Sequence, residues 1–331
     1  MGERAVSGWP MTGRVVLVTG ATSGVGRATA SALGAAGATV LVHARTMSRA
    51  REAIAEFSRG GRPGTESILD GARGGESERR GGSVVSARPG PVGSRFVAVA
   101  GDLGSLAGVR EIAAQVRRVA SNGLHVLINN AGAAFPRRGL SQDGVERTIA
   151  VNHIAVAALS RALLGLLRDG AAAAGRPSRV VNVSSSLERR GNPHLADWSY
   201  PGRFHQFQAY CDAKLINLAY SYVLAGEVAG SGITVNCADP GSVATGFGRN
   251  AGGLFKMIQT LGRPLLATPE KGARTGIRLA ADPALDSETG GYYRGSEPYP
   301  SSAASRDPDF GALIGRRTAA VLGGAPAGDL R

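Results

Sequence analysis

Tyr210 and Lys214 are the pair of residues in this chain best suited to proton transfer. They stand four positions apart in a segment that reads as the start of a helix, so both side chains lie on one helix face. A free tyrosine has a pKa near ~10, which is too high for easy proton exchange at neutral pH. Because a nearby ammonium favours the phenolate, we expect Lys214 to lower the pKa of Tyr210 and make it a usable general acid or base.

A glycine-rich turn near the start of the chain has the form of a nucleotide site. Val15–Val18 reads as a short buried strand, a helix is predicted from Arg27 to Ala36, and T-G-x-x-x-G-x-G lies between them. Such a turn presents free backbone N–H groups and the positive end of the helix dipole to one point, which suits a pyrophosphate. The alternative is a glycine turn without a ligand. The predicted contacts are Gly20, Thr22, Ser23, Gly24, Val25 and Gly26.

Arg45 follows the second predicted strand, Thr39–Val42, at about the spacing from the glycines where a Rossmann fold reads the cofactor ribose. A carboxylate there would accept hydrogen bonds from both ribose hydroxyls and repel a phosphate, but no Asp or Glu stands between Thr39 and Arg51. The planar fork of an arginine fits a 2′-phosphate instead. The sequence therefore favours NADP(H), with a plain surface arginine as the alternative. Arg27, on the first helix, could share the phosphate.

Further motifs follow the predicted strands in order along nearly the whole chain. They are Asp102-Leu103, Asn129-Asn130-Ala131-Gly132, Asn152 in a helix predicted from Asp143 to Arg168, the triplet Ser184-Ser185-Ser186, and Pro240-Gly241. Together with the glycine turn and Tyr-x-x-x-Lys, this pattern resembles the short-chain dehydrogenase/reductase family. The most similar branch is the one of retinol dehydrogenases and WW-domain oxidoreductases, which also includes bacterial ketoreductases that tailor anthracycline-type antibiotics.

The resemblance implies hydride transfer between a nicotinamide and a carbonyl carbon. In that scheme Tyr210 donates the proton, Lys214 binds the ribose, and Asn152 fixes a water in the proton relay. Ser185 holds the carbonyl oxygen, although the serine triplet leaves this assignment open by one residue. Asp102 could equally cap the helix predicted from Ser105 to Val119. The cofactor contacts implied by the resemblance are Asp102, Leu103, Asn130, Ala131, Gly132, Tyr210, Lys214, Pro240, Gly241, Val243 and Thr245.

These observations predict an NADP(H)-dependent oxidoreductase that interconverts a ketone or aldehyde and an alcohol on a hydrophobic small molecule. A ketoreductase of polyketide antibiotic biosynthesis fits this description. The alternatives are a dehydrogenase of retinal-type or lipid aldehydes and a catalytically silent, NADP-sensing regulator. A silent regulator would be expected to lose Tyr210 or Lys214, and both are present.

Six predicted strands alternate with helices, which is typical of a doubly wound parallel sheet of the Rossmann type. The 331 residues, 43% of them hydrophobic, are expected to form a single α/β domain over residues 11–323. Residues 58–94, rich in Gly, Arg, Ser and Pro, are expected to be a disordered insert. Residues 1–10 and 324–331 are expected to be disordered tails, and residues 246–266 are a candidate substrate lid.

The bulk composition argues against metal sites, disulfides, nucleic-acid binding and membrane spans. The two cysteines, Cys211 and Cys237, offer no metal-ligand spacing and fit a reducing cytoplasm, so neither a metal nor a disulfide is predicted. The net charge is +13, but the arginines are spread along the chain without interleaved aromatics, which argues against nucleic-acid binding. The most apolar segment, Ile154–Leu167, is interrupted by Ser160 and Arg161, so no membrane span is predicted. A homo-oligomer is left open.

Overall fold

The structure is a computed structural model that describes residues 9–58, 95–195, 197–243 and 267–323. Residues 1–8 of the tail predicted at 1–10, the tail predicted at 324–331, the predicted lid and Thr245 lie outside the described residues. So does the predicted insert, except for Ser58, which is the last residue of a helix.

One eight-stranded sheet forms the centre of the fold, in the order β3-β2-β1-β4-β5-β6-β7-β8. The first seven strands are parallel, and β8 pairs with β7 in the antiparallel direction. The order reverses at β1, so the predicted doubly wound parallel sheet is confirmed. The strands are β1 (Val15–Val18), β2 (Thr39–Ala44), β3 (Phe96–Ala100), β4 (Val126–Asn129), β5 (Ser178–Val183), β6 (Ile233–Asp239), β7 (Tyr292–Arg294) and β8 (Glu297–Pro298).

Helices cover both faces of this sheet because its central strands are apolar on both sides. One face packs against α3, α5, α6 and α9. The other packs against α1, α2 and α7. The helices are α1 (Gly24–Ala35), α2 (Met47–Ser58), α3 (Leu106–Val119), α4 (Arg147–Ile149), α5 (Ala155–Ala174), α6 (Gln206–Glu227), α7 (Pro269–Ala281), α8 (Ala303–Arg306) and α9 (Pro308–Val321).

The helix that was predicted over Asp143–Arg168 begins later and is not uniform. It starts at Arg147 because the Glu146 carboxylate caps it, accepting hydrogen bonds from the N–H groups of Thr148 (2.8 Å) and Ile149 (3.4 Å). A π-helical turn, Ala150–Ile154, separates α4 from α5. The continuous segment 147–174 is long and apolar enough to cross a membrane by length and composition, and an 18-residue window within it has a mean hydropathy of 1.6. In the structure 72% of that window is buried, as in the core helix of a folded domain.

The C-terminal helices α8 and α9 were not predicted. Helix α9 packs against α6, and its Thr318 Oγ1 lies 2.8 Å from Nε2 of His153, the residue after Asn152. Asp307 caps α9 by accepting from the N–H of Asp309 at 2.8 Å. The segment after β7 therefore closes the domain over the same helices that carry the predicted catalytic residues.

Candidate active site

The glycine turn and the Asn129–Gly132 segment meet at the carboxyl ends of β1 and β4. Thr19 Oγ1 accepts hydrogen bonds from the backbone N–H groups of Asn130 (2.9 Å) and Ala131 (3.0 Å). In return, the Asn130 side chain donates to the Thr19 carbonyl at 2.8 Å. A Cβ added to Gly26 would overlap the Asn130 amide and the Gly20 carbonyl oxygen. The two predicted cofactor segments therefore form one closely packed edge.

The start of α1 is left open to a ligand. Gly20 and Gly24 have φ values of +64° and +54°, a region that favours glycine. Ser23 is the N-cap residue, but its side chain makes no capping hydrogen bond. Thr22 and Val25 are half-buried beside it. The backbone donors of this first turn thus fit the pyrophosphate predicted from the sequence.

His43 holds the glycine turn in place, although it belongs to none of the predicted motifs. Its Nδ1 accepts from the Gly20 N–H at 3.2 Å, and its Nε2 lies 3.1 Å from the Gly101 carbonyl oxygen. Burial lowers the pKa of His43 to about 4, so the ring is neutral and donates through Nε2. The position of a histidine inside an otherwise apolar strand was the sequence feature that could have indicated this role.

Arg45 lies at the end of β2 with 76% of its side chain exposed, and its Nε is 3.8 Å from Asp102 Oδ1. Arg27 is paired with Glu56 at 2.7 Å. The proposed capping role of Asp102 is wrong, because Ser105 caps α3 by accepting from the Gly108 N–H at 3.2 Å.

Asp102 instead accepts from the Gly104 N–H at 3.0 Å, which keeps its carboxylate at the exposed end of β3. Leu103, the next residue, is buried in the core. The Asp102-Leu103 pair therefore lies at the same carboxyl edge of the sheet as Arg45.

Asn152 lies in the π-helical turn, a distortion that is frequent at functional sites. Its Nδ2 donates to the carbonyl oxygens of Ala133 (2.6 Å) and Thr148 (2.8 Å). Its Oδ1 is buried and has no hydrogen-bond partner among the described residues. A buried acceptor without a partner fits the water-holding role that the resemblance implies.

The serine triplet after β5 separates into three environments. Ser184 is buried, and its hydroxyl has no partner in the described part of the chain. Ser185 hydrogen-bonds Tyr210 and also accepts from the Leu187 N–H at 3.3 Å. Ser186 accepts from Arg294 at 2.9 Å. Ser185 is therefore the member of the triplet that contacts the tyrosine.

Tyr210 and Lys214 occupy one face of α6, as their spacing predicts, and Lys214 Nζ lies 5.6 Å from the centre of the Tyr210 ring. Lys214 Nζ also donates to the Val183 carbonyl oxygen at 2.9 Å. Burial lowers the pKa of Lys214 to about 8, while the nearby Cys237 and Asp239 oppose this.

The expectation that Lys214 lowers the tyrosine pKa is wrong for the chain by itself. Burial raises the pKa of Tyr210 above its usual range, the Asp239 carboxylate raises it further, and the hydrogen bond with Ser185 lowers it. Desolvation of the phenolate is the largest cause, because Tyr210 is almost fully enclosed. The ring therefore holds its proton at neutral pH.

The segment after β6 completes this edge of the site. Asp239 Oδ1 accepts from the Gly241 N–H at 2.8 Å, and Gly241 has a φ of +71°. Pro240 lies between them, and Val243 forms a β-bridge with Ala267.

The chain is similar to known proteins over most of its length. The short chain dehydrogenase family matches residues 14–66 and 75–252. Retinol dehydrogenase 14 of Mus musculus is 34% identical over 291 residues, which cover 86% of this chain and 78% of that protein. Polyprenol dehydrogenase of Mus musculus is 33% identical over 307 residues, or 91% and 81% of the two chains.

Solved structures with the same fold include an uncharacterised protein from Mycobacterium paratuberculosis. It superposes with a TM-score of 0.69 at 24% identity, covering 97% of this chain and 98% of that one. Pseudomonas aeruginosa RhlG, in an active-site complex with NADP, gives a TM-score of 0.63 at 24% identity over 88% and 97% of the chains.

Proposed function

The chain belongs to the short-chain dehydrogenase family, and on that premise we propose that it is an NADP(H)-dependent enzyme interconverting an aldehyde or ketone and an alcohol on a hydrophobic small molecule. The observation that carries the proposal is the contact of Ser185 with Tyr210, one helical turn from Lys214. A protonated tyrosine beside a serine hydroxyl gives two hydrogen-bond donors for one carbonyl oxygen.

The residues at the carboxyl edge of the sheet fit a nicotinamide dinucleotide. Gly26 lets the start of α1 pack against Asn130 and the Gly20 carbonyl oxygen with no room for a Cβ, and the first turn of α1 lacks a side-chain cap. Arg45 is exposed where it could grip a 2′-phosphate, which supports NADP(H) over NAD(H). RhlG, which has the same fold, is known in a complex with NADP, so this fold accommodates a nicotinamide dinucleotide, and the choice of NADP(H) over NAD(H) rests on Arg45.

Each catalytic side chain has a separate task in this proposal. The cofactor supplies the hydride when it is bound. Tyr210 gives the proton to the substrate oxygen, and Ser185 donates a hydrogen bond to the same oxygen. Lys214 is placed to bind the ribose, and the free Oδ1 of Asn152 would hold the water that returns the proton.

The substrate class follows from the relatives. Retinol dehydrogenase 14 and polyprenol dehydrogenase are named for isoprenoid alcohols, so a long apolar aldehyde or alcohol is the first choice for this chain. A ketone of polyketide antibiotic biosynthesis belongs to the same reaction class and is the second choice.

The test is the consumption of NADPH, followed by absorbance, on addition of retinal, a long-chain prenyl aldehyde or a polycyclic ketone. We expect oxidation of NADPH with at least one of the apolar carbonyls, and weaker activity with NADH. Binding of NADPH without turnover of any carbonyl would instead indicate a silent NADP-sensing regulator. Absence of both binding and turnover would overturn the proposal.

A further inference from the structure

Arg294, the last residue of β7, joins the ends of two neighbouring strands at the active site. Its Nη2 donates to Asp239 Oδ2 (2.9 Å) at the end of β6 and to Ser186 Oγ (2.9 Å) just after β5. Its guanidinium also lies over the Tyr299 ring, 4.5 Å from the centre. The Arg294 side chain thus reaches from β7 across β6 to the residues that follow β5.

Both partners of Arg294 are next to residues of the proposed reaction. Ser186 follows Ser185, which contacts Tyr210. Asp239 precedes the Pro240-Gly241 segment and shapes it by accepting from the Gly241 N–H. A movement of Arg294 would therefore displace both the segment that holds Ser185 and the segment that holds Pro240 and Gly241.

The Asp239 carboxylate needs this arginine because only 1% of it is exposed. Its other described side-chain partner is the Tyr292 hydroxyl, which donates to Oδ2 at 2.9 Å. A buried carboxylate that loses its cation is costly, since a neutral hydroxyl and an N–H replace only part of its hydration. Both acceptors bind one nitrogen, Nη2, whose two N–H bonds have fixed directions in the guanidinium plane, whereas the ammonium of a lysine is a point charge on a flexible stem.

We propose that Arg294 is a positioning residue that clamps the Ser185–Ser186 turn to the Asp239–Gly241 turn, so that Ser185 and Tyr210 face the same substrate oxygen. The inference rests on the proposed function for its kinetic readout. Its geometric part, the coupling of Ser186 and Asp239 through one guanidinium, stands independently of it.

The charge of Asp239 gives the clamp a second measurable effect, on the pKa values of Lys214 and Tyr210. Lys214 and Tyr210 of α6 and Cys237 of β6 are close enough for charge interactions in this region, and Glu188 lies on the side of Tyr292. Without Arg294, the uncompensated carboxylate would favour the protonated forms of Lys214 and Tyr210. Without the carboxylate, the opposite shift is expected.

The experiment compares Arg294→Met, Arg294→Lys, Ser186→Ala and Asp239→Asn with wild type in steady-state NADPH oxidation over a pH series. Arg294→Met should lower kcat by about tenfold or more, the scale for losing one charge-assisted contact, with NADPH affinity close to wild type. Arg294→Lys should recover only part of kcat. The alkaline limb of the pH profile should move up in Arg294→Met and down in Asp239→Asn.

Arg189→Met is the matched control. Arg189 also lies over Tyr299, at 5.6 Å, and donates to the Pro300 carbonyl oxygen, but no described contact joins it to Ser186 or Asp239. It should keep the wild-type kcat and pH profile. An equal loss of kcat in Arg189→Met and Arg294→Met, or an unshifted pH limb in both clamp variants, would overturn the proposal.

A double-mutant cycle in thermal unfolding separates the clamp from the proposed function. Ser186→Ala and Asp239→Asn should each be coupled to Arg294→Met, because the three residues share one hydrogen-bonded group. If wild type reduces no carbonyl, the proposed function fails, and coupling in this cycle still supports the clamp. Additive effects of both pairs would overturn the clamp whatever the activity. If Arg294→Met does not fold, Arg294→Lys takes its place in the cycle.

Discussion

Thr19 and Asn130 bind each other in both directions. The Thr19 hydroxyl accepts from the Asn130 N–H at 2.9 Å, and the Asn130 amide donates to the Thr19 carbonyl at 2.8 Å. These residues lie more than a hundred positions apart in the chain, one in the glycine turn after β1 and one in the segment after β4. The pair locks the two cofactor segments together before any ligand binds.

Thr19→Val tests whether the hydrogen bonds of the Thr19 hydroxyl, rather than the shape of its side chain, hold the two segments together. Valine keeps the shape but removes the acceptor of the Asn130 and Ala131 N–H groups, so two half-buried donors lose their partner. We expect the free energy of unfolding to fall by about 1–3 kcal/mol and NADPH binding to weaken, measured by denaturant unfolding and fluorescence titration. Thr19→Ser, which retains the hydroxyl, should stay close to wild type. Equal behaviour of the two variants would contradict the role of the hydroxyl.

Arg45→Asp should invert the cofactor preference. A bidentate contact to the 2′-phosphate would become a like-charge repulsion, while the new carboxylate can accept from the ribose hydroxyls of NADH. We expect kcat/KM for NADPH to fall at least about tenfold, and the value for NADH to hold or rise.

Arg27→Ala is the control for Arg45→Asp, because Arg27 is already paired with Glu56. It should change the preference little. If the preference for NADPH survives in the double variant, the phosphate is bound elsewhere or the enzyme uses NADH.

Two buried histidines should make the protein sensitive to mild acid. Burial lowers the pKa of His43 to about 4 and that of His153 to about 3. Below pH ~6.5, the ordinary pKa of histidine, these two side chains bind protons in the unfolded chain but stay neutral in the folded chain. Stability is therefore expected to fall as the pH drops from about 6.5 toward 4, by up to about 1.4 kcal/mol per pH unit for each histidine.

The histidine prediction is tested by urea unfolding at several pH values. His153→Gln retains a donor for Thr318 but cannot titrate in this range, so the slope of stability against pH should become shallower. His194→Gln, at an exposed position, should leave the slope unchanged. An unaltered slope in His153→Gln would rule out this source of acid sensitivity.

The local patterns of the sequence predicted the strands well because each central strand is a short apolar run between turn residues. The start of helix α7, Pro269–Ala281, is likewise marked by local residues, since Thr268 caps it and Pro269 and Glu270 occupy its first turn. The start of α4 was missed because its cap, Glu146, depends on tertiary contacts, including the hydrogen bond from its N–H to the Trp198 carbonyl oxygen. The local sequence around a polar residue does not reveal such a long-range hydrogen bond.

Within the site, the residue types and their order were predictable, but their electrostatics were not. The direction of the Tyr210 pKa depends on how completely the ring is buried and on Asp239, which no local pattern places beside it. Arg294 likewise lies 55 positions from Asp239 and reaches it only because β6 and β7 are paired in register. Long-range pairing of this kind is set by the sheet rather than by the neighbouring residues.

The most direct test of the central claim, that Tyr210 is the proton donor of a carbonyl reductase, is single-turnover oxidation of bound NADPH by Tyr210→Phe with the best apolar aldehyde. The ring and its packing remain, while the transferable proton is lost. The account predicts that the rate falls by roughly 10²–10⁴-fold, with NADPH affinity close to wild type. A variant that retains more than about a tenth of the wild-type rate would contradict the claim.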